Sequence, residues 1–80
     1  MARYLYLDMT HPMGKLFGER LRQRRQALSI SQGELGERTG VAVSHISNIE
    51  RGKGNPTLDI MVRLCDVVGC PISTMLAAEA

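Results

Sequence analysis

The sequence contains no tryptophan, and its only aromatic residues are Tyr4, Tyr6 and Phe17. This shortage disfavours an aromatic-lined ligand pocket, since aromatic side chains are prominent in such sites. It suits instead a small aliphatic core, because 44% of the residues are hydrophobic. No apolar run approaches the roughly 18 residues expected of a membrane-spanning helix. With 80 residues, the chain is expected to form one small domain.

The residues that usually carry catalysis or bind metals are equally sparse. Cys65 and Cys70 are too few for a disulfide framework, and Cys65 falls at an apolar position of a helical pattern, which predicts a buried reduced thiol. His11 and His45 have no regular spacing to either cysteine, so we expect no metal and no cofactor. There is no Ser/His/acid set at a plausible spacing, no phosphate-cradling glycine loop and no facing pair of carboxylates. The sequence therefore predicts a protein that is not an enzyme.

Charge is distributed unevenly along the chain, although the formal net charge is only +2. Residues 14–53 carry eight lysines and arginines against four glutamates, and the remaining residues are weakly acidic. A basic segment of this kind favours a polyanionic partner for one face of the domain. A solvated helix face would give the same pattern, so charge alone leaves both interpretations open.

Hydrophobic periodicity predicts an all-α domain over residues 14–80, preceded by an N-terminal arm, residues 1–13. Within the arm, residues 3–7 are rich in strand-forming types and predict a short extended segment, and residues 10–14 read as a turn or linker. The first helix is expected from about Lys15 to Leu28, because Phe17, Leu21 and Leu28 form one stripe at helical spacing.

Two short helices with clear end signals follow. Ser31 and Glu34 have the spacing of a capping box, in which the serine hydroxyl accepts from the Glu34 amide and the Glu34 carboxylate reaches back. Gly40 is expected to end this second helix, and a third helix is expected from Val43 to Arg51. Two short helices joined by a glycine turn form a helix-turn-helix, whose second helix presents its N-terminal side chains to a DNA major groove.

The C-terminal third predicts two more helices. Thr57 is expected to cap a fourth helix that ends at Gly69, and Pro71 to open a last short helix. Each helix has an apolar stripe. The predicted stripe of the fourth helix is Leu58, Met61, Leu64, Cys65 and Val68, and that of the last is Ile72, Met75 and Leu76.

Residues 17–76 resemble the Cro and phage-repressor type of helix-turn-helix domain, also called the xenobiotic-response-element family. The resemblance rests on three stretches with their linking glycines: Ile30-Ser31-Gln32-Gly33-Glu34-Leu35-Gly36, Ile46-Ser47-Asn48-Ile49-Glu50-Arg51-Gly52-Lys53 and Asn55-Pro56-Thr57-Leu58. It implies a compact five-helix, lambda-repressor-like DNA-binding domain. Members of this family usually bind palindromic operators as dimers and regulate transcription.

The resemblance also implies roles for individual residues. Base-reading side chains are expected at Val43, Ser44 and Asn48. Phosphate-contacting or positioning side chains are expected at Gln32, Arg22, His45, Ser47, Lys53 and Asn55, and a structural ion pair at Arg25 and Glu50. Among the base readers, Asn48 is the strongest candidate, because an amide can bond adenine through two hydrogen bonds.

The chain departs from the family pattern at three positions. Ala42 stands where a small polar cap usually precedes the recognition helix, which removes a capping bond of roughly 1 kcal/mol and one phosphate contact. Gly36 replaces the usual alanine, keeping the small size at the cost of helix propensity. Pro71 stands where a polar cap often opens the last helix.

Together these features predict a sequence-specific transcriptional regulator, a repressor or autoregulator, that binds double-stranded DNA as a homodimer. We expect it to act in the cytoplasm of a bacterium, or to be phage-encoded, in association with the nucleoid. Apolar residues left outside the core are the candidates for the dimer interface, and these are Tyr4, Leu5, Met75 and Leu76.

A second interpretation is an antitoxin or another protein-interaction module that uses the same domain. In that case residues 4–7 (Tyr-Leu-Tyr-Leu) could add a strand to a partner protein or to a dimer mate. A frayed terminus is the alternative for this segment, and Met9 and Met13 are both plausible initiators. The sequence leaves these readings open.

Overall fold

The computed structural model describes residues 12–77, with side chains from residue 14 onward. Five helices make up this described part: α1 Pro12–Ala27, α2 Gln32–Thr39, α3 Val43–Glu50, α4 Leu58–Val68 and α5 Ile72–Met75. No strand occurs within residues 12–77, so the predicted five-helix, all-α architecture is confirmed. The extended segment expected at residues 3–7 lies outside the described residues.

Helix α1 begins and ends earlier than the sequence pattern predicted. It starts at Pro12, where the ring fixes φ and the missing amide hydrogen costs nothing in a first helical turn. It ends at Ala27, and Ser29 takes a left-handed φ of 59°. The prediction that Leu28 completes the buried stripe was therefore wrong, since its side chain is 45% exposed beyond the helix end. Ile30, which is 8% exposed, reaches the core instead.

The ends of α2 are those the sequence predicted. The Ser31 hydroxyl accepts a hydrogen bond from the Glu34 amide at 3.0 Å, and Gly40 closes the helix in the left-handed conformation with φ of 76°. Only the second half of the expected capping box was wrong. The Glu34 carboxylate accepts from Arg38, one turn further along α2, rather than from the Ser31 amide.

Helices α4 and α5 complete the core. The Thr57 hydroxyl caps α4 by accepting from the Ile60 amide, and Gly69 closes the helix. The stripe prediction was wrong for Leu58, which is 63% exposed in the first turn of α4, before the helix crosses the core. The sequence suggested Met75 of α5 as a residue of the dimer interface. This prediction was wrong, because Met75 is fully buried in the core.

A single apolar cluster joins all five helices. Its fully buried side chains include Phe17, Leu21, Leu35, Ile46, Ile49, Leu64, Val68 and Met75. Two arginines of α1 hold the C-terminal helices onto it: Arg20 donates to the Thr74 carbonyl at 2.6 Å and Arg24 to the Val68 carbonyl at 3.0 Å. Within residues 12–77, no helix has both the length and the apolar character needed to cross a membrane.

Candidate nucleic-acid interface

The direction of α3 is set by a close approach to α1. A Cβ atom added to Gly18 would collide with the Ile49 carbonyl, so no other residue fits there without moving a backbone. Because Ile46 and Ile49 are fully buried, α3 is anchored through one face and leaves its opposite face outward.

A second glycine fixes the angle between α2 and α3. A Cβ atom on Gly36 would lie 2.8 Å from the Val41 carbonyl oxygen and 3.3 Å from a methyl group of Val43. The first distance is shorter than packed atoms allow, so the alanine usual at this position would require the turn to shift. This turn therefore requires glycine at position 36, in addition to the lower helix propensity that glycine brings to α2.

Arg25 and Glu50 tie α1 to the end of α3. Arg25 donates from Nε to Glu50 Oε2 at 2.7 Å and from Nη2 to Oε1 at 3.0 Å, while Nη1 donates to the Ile30 carbonyl at 3.0 Å. The Glu50 side chain is only 3% exposed. The hydrogen bonds to Glu50 raise the pKa of the Arg25 guanidinium above its ordinary value, so the guanidinium stays protonated.

An open cavity of about 350 Å³ lies beside this ion pair, between α1, the start of α2 and the end of α3. It is lined by Arg22, Arg25, Gln26, Gln32, Ser47, Glu50 and Arg51. Since Arg25 neutralises Glu50, the guanidiniums of Arg22 and Arg51 give the cavity a net positive charge. Gln32 is held in place by donating from Nε2 to Glu50 Oε1 at 3.1 Å. A positive cavity with amide and hydroxyl groups has the chemistry of a phosphate-binding site.

The three side chains expected to read bases lie along the outward face of α3. Val43 is 45% exposed, Ser44 is exposed, and Asn48 is half-buried one turn further on. Arg51 donates to the Asn48 Oδ1 atom at 2.7 Å, which holds the amide at the edge of the helix. The Ala42 side chain forms no capping hydrogen bond, so it leaves the first-turn amides of α3 uncapped.

The remaining predicted contact residues flank this helix. His45 and Ser47 are half-buried on α3, and Lys53 and Asn55 are exposed in the loop that follows it. The loop is held to α3 by a hydrogen bond from the Lys53 amide to the Asn48 carbonyl, 2.8 Å long. All of the predicted contact residues except Asn55, which lies further along the loop, are on α3, bonded to it or lining the cavity beside it.

Sequence reasoning did not single out two cavity residues, Gln26 and Arg51. Gln26 lies one helical turn after Arg22 on α1, and this spacing was a usable signal. Arg51 belongs to the Ile-Glu-Arg-Gly stretch that carried the resemblance and comes directly after α3. Among residues 12–77 there is no cluster of three or more potential metal ligands.

The helix-turn-helix family model matches residues 21–75. The chain belongs to this family. A regulator named HTH-type transcriptional regulator SinR, from Bacillus subtilis, is 34% identical over 62 residues, which is 76% of this chain. The helix-turn-helix chain spans 56% of the length of that relative. An uncharacterised HTH-type regulator of Sinorhizobium fredii, y4dJ, is 32% identical over 71% of this chain and 74% of its own length.

Solved structures give the same result. The P22 c2 repressor, solved in complex with a synthetic operator, is 33% identical and superposes with a TM-score of 0.73 over 79% of this chain and 96% of the repressor chain. The regulator ClgR of Corynebacterium glutamicum has a TM-score of 0.76 over 80% of this chain and 68% of its own at 23% identity, which shows the shared fold. The resemblance to the Cro and phage-repressor type, based on the sequence motifs, is confirmed.

Proposed function

We propose that this helix-turn-helix protein is a sequence-specific DNA-binding transcriptional regulator that represses or autoregulates genes at a palindromic operator. The observation that carries the proposal is the arrangement of α3. Its outward residues Val43, Ser44 and Asn48 lie next to a positive cavity, so one surface offers both base-reading and phosphate-binding groups. The likeness to the operator-bound P22 c2 repressor supports the same use of this surface.

In the proposed complex, α3 lies in the major groove. Asn48 reads a base edge and Ser44 and Val43 contact neighbouring bases, with Val43 limited to a thymine methyl group. Phosphates are gripped by Arg22, Gln32 and Ser47 on the cavity side and by His45, Lys53 and Asn55 on the side of the loop after α3, where Gly54 lies close to the His45 ring. Gln32 serves as both contact and brace, because its amide is already fixed by the Glu50 carboxylate.

The protein acts as a homodimer in this proposal. One domain of this size presents a small surface, and two-fold dimers match palindromic half-sites about one helical turn apart. With Met75 buried, the apolar residues available for an interface are Ile72 of α5 and Leu76 directly after it, both half-buried. Sedimentation at micromolar concentration tests this directly, and a protein that stays monomeric both free and on operator DNA contradicts it.

Selection of bound duplexes from a random DNA pool tests sequence specificity. The wild type should enrich a palindrome, whereas Asn48→Ala should lose preference at one base position per half-site. That loss corresponds to about 1–3 kcal/mol, or roughly 5- to 150-fold in relative affinity.

Asn55→Ala is the matched control for this selection. It removes the same amide from the loop instead of from α3, so it should weaken binding without changing the enriched sequence. Failure of the wild type to enrich any sequence contradicts the proposed function, and loss of preference in both variants contradicts the division of roles.

No observation favours the antitoxin interpretation. The segment of residues 4–7 on which it depends lies outside the described residues, and the relatives named above are called transcriptional regulators.

A further inference from the structure

Cys65 and Cys70 flank the C-terminal end of α4. Gly69 takes a left-handed φ of 68° and ends the helix, and the amides of Gly69 and Cys70 both bond to the Cys65 carbonyl. In a helix ending of this type, the residue after the glycine packs against the residue five positions before it. The two cysteines occupy those two positions.

The backbone geometry holds the two cysteines close together. The hydrogen bond from the Cys70 amide to the Cys65 carbonyl is 3.1 Å long. Because the amide nitrogen is one bond from its Cα and the carbonyl oxygen two bonds from its own, the Cα atoms lie within about 7 Å of each other, near the limit for bridged cysteines. Burial, and after it the neighbouring Cys70 thiol, raise the pKa of the Cys65 thiol to about 11.

The two thiols differ in access to solvent. Cys65 is 4% exposed and belongs to the apolar core, whereas Cys70 is half-buried and packs against that core from outside. Both are free thiols in this structure. A small oxidant therefore reaches Cys70 first, and Cys65 is the neighbouring, more buried thiol. An accessible thiol with a neighbouring resolving cysteine is the arrangement of redox-sensitive sites.

We propose that Cys65 and Cys70 form an oxidative modification site, a dithiol that a peroxide converts to an intrachain disulfide. In the first step the Cys70 sulfur attacks a peroxide oxygen, the O–O bond breaks, and the products are a Cys70 sulfenic acid and, from hydrogen peroxide, one water. In the second step the Cys65 sulfur attacks the Cys70 sulfur, the S–O bond breaks, and hydroxide leaves with the Cys65 proton as water. Two thiols thus lose two electrons and two protons, and one peroxide becomes two waters.

The disulfide would fasten the end of α4 to the start of α5. Pro71 and α5 follow Cys70 immediately, and α5 is seated on α1 through the buried Met75 and the bond from Arg20 to the Thr74 carbonyl. A covalent link here closes residues 65–70 into a short loop in the unfolded chain, which lowers the entropy of that chain and raises the stability of the folded form. The inference is independent of the proposed DNA binding.

Peptide mapping tests the disulfide. The reduced protein is treated with hydrogen peroxide, free thiols are alkylated, and the chain is cut by a protease that cleaves before aspartate. Asp66 lies between the two cysteines, so cleavage before it separates them. The expected product is the peptide ending in Cys65 joined to the peptide containing Cys70, lighter by two hydrogens than the separate thiols and released by dithiothreitol. Two free thiols, a Cys70 oxidised without Cys65, or a covalent dimer through Cys70 would each overturn the proposal.

Two variants and a stability measurement complete the test. Cys65→Ala should accumulate a Cys70 sulfenic acid that dimedone traps, and Cys70→Ser should leave Cys65 unmodified until the chain is unfolded. The thermal unfolding midpoint should rise on oxidation of the wild type and stay unchanged in Cys70→Ser, a substitution at a half-buried position that preserves the core. An equal response of wild type and Cys70→Ser to peroxide contradicts the proposed bridge.

Discussion

Glu50 is the residue whose environment most constrains the candidate interface. Its carboxylate is almost fully buried, yet it accepts hydrogen bonds from Arg25 on α1 and from Gln32 on α2. A single side chain at the end of α3 thus joins three helices. Because each partner is itself a cavity residue, changes at Glu50 affect both folding and the proposed phosphate contacts.

Glu50→Gln should destabilise the fold strongly. It keeps the shape of the side chain but leaves the Arg25 guanidinium without its counter-charge in a site where Arg25 is only 13% exposed. Breaking a buried pair from one side costs about 3–5 kcal/mol, measurable by urea unfolding.

Arg38→Gln is the control for Glu50→Gln. It removes the exposed pair with Glu34, whose side chains are 53% and 40% exposed, and should cost at most about 0.5 kcal/mol. Equal effects of the two substitutions contradict the assigned importance of the buried pair.

Ionisation of Cys65 is expected to lower the free energy of unfolding at alkaline pH. Burial, and secondarily the Cys70 thiol, raise its pKa from the ordinary value of 9.0 to about 11 in the folded chain. The unfolded chain therefore loses this proton first as the pH rises. The stabilising contribution of the neutral thiol is fully present below pH 9.0 and is lost as the pH rises through about 11.

Urea unfolding at a series of pH values, with reductant present, measures this dependence. The decline in unfolding free energy should be shallower in Cys65→Ala than in the wild type, because the variant has no thiol to ionise at that position. Identical pH slopes would mean that the buried thiol does not contribute.

Single residues were predicted well where a local rule applied. Ser31, Gly40, Thr57 and Gly69 each act on their own helix end, through one hydrogen bond or one left-handed φ, so neighbouring sequence was sufficient. The redirected Glu34 carboxylate was missed because Arg38 competes for it, and a spacing rule does not weigh two partners.

Helix α1 shows why element boundaries affect predictions of burial. The sequence stripe was read through Leu28 as though the helix continued, but the chain turns at Ser29 and Ile30 takes the inward place. Leu58 was misjudged similarly, because it lies in the first turn of α4 before the helix reaches the core. Periodicity predicts which face of a helix is buried, but it does not predict at which residue the buried stretch begins or ends.

The contact between α1 and α3 leaves no space at Gly18. Gly18→Ala should displace α3 or unfold the domain, since the added methyl group would collide with the Ile49 carbonyl and cannot be relieved by a side-chain rotation. We expect a loss of several kcal/mol, at or beyond the roughly 1–3 kcal/mol of ordinary overpacking, in thermal or urea unfolding.

Gly33→Ala is the matched control in α2. The nearest atom to its added Cβ is the Ser31 hydroxyl oxygen at 3.7 Å, an ordinary contact, so helix propensity decides the outcome. This variant should be stabilised by up to about 1 kcal/mol. Destabilisation by both substitutions would show that α2 tolerates no change, whereas neutrality of Gly18→Ala would contradict the close packing of α1 and α3.

At the scale of the whole molecule, the sequence predicted the fold, whereas the face expected to carry the interface stays a prediction. The order of caps, glycines and apolar positions was enough for the fold, and the family match agrees with it. Sequence patterns did not reveal the cavity beside α3, because its residues come from three helices and meet only after folding. Gln26 and Arg51 were missed for this reason.

The proposed complex should depend steeply on salt. Each phosphate contact releases counterions, so the logarithm of the binding constant falls with the logarithm of salt concentration by about 0.9 per contact. Lys53→Gln should reduce this slope by about 0.9 for a monomer and about 1.8 for a dimer that uses Lys53 twice. Fluorescence anisotropy with the selected duplex at several salt concentrations measures it.

Arg63→Gln is the control for the salt titration. Arg63 is an exposed cation of α4 that pairs with Asp59 and lies outside the candidate interface. The slope of this variant should match that of the wild type. A Lys53→Gln slope equal to the wild-type slope would remove Lys53 from the phosphate contacts.

The absence of room between α1 and α3 has a consequence for redesign. Since the backbone of α3 is packed tightly against Gly18, its outward residues can be substituted without moving the helix. In the proposed complex, replacing Val43, Ser44 and Asn48 together would change the preferred target while the rest of the chain is left untouched. A change in the tilt of α3 would first require a redesign of the contact between Gly18 of α1 and Ile49 of α3.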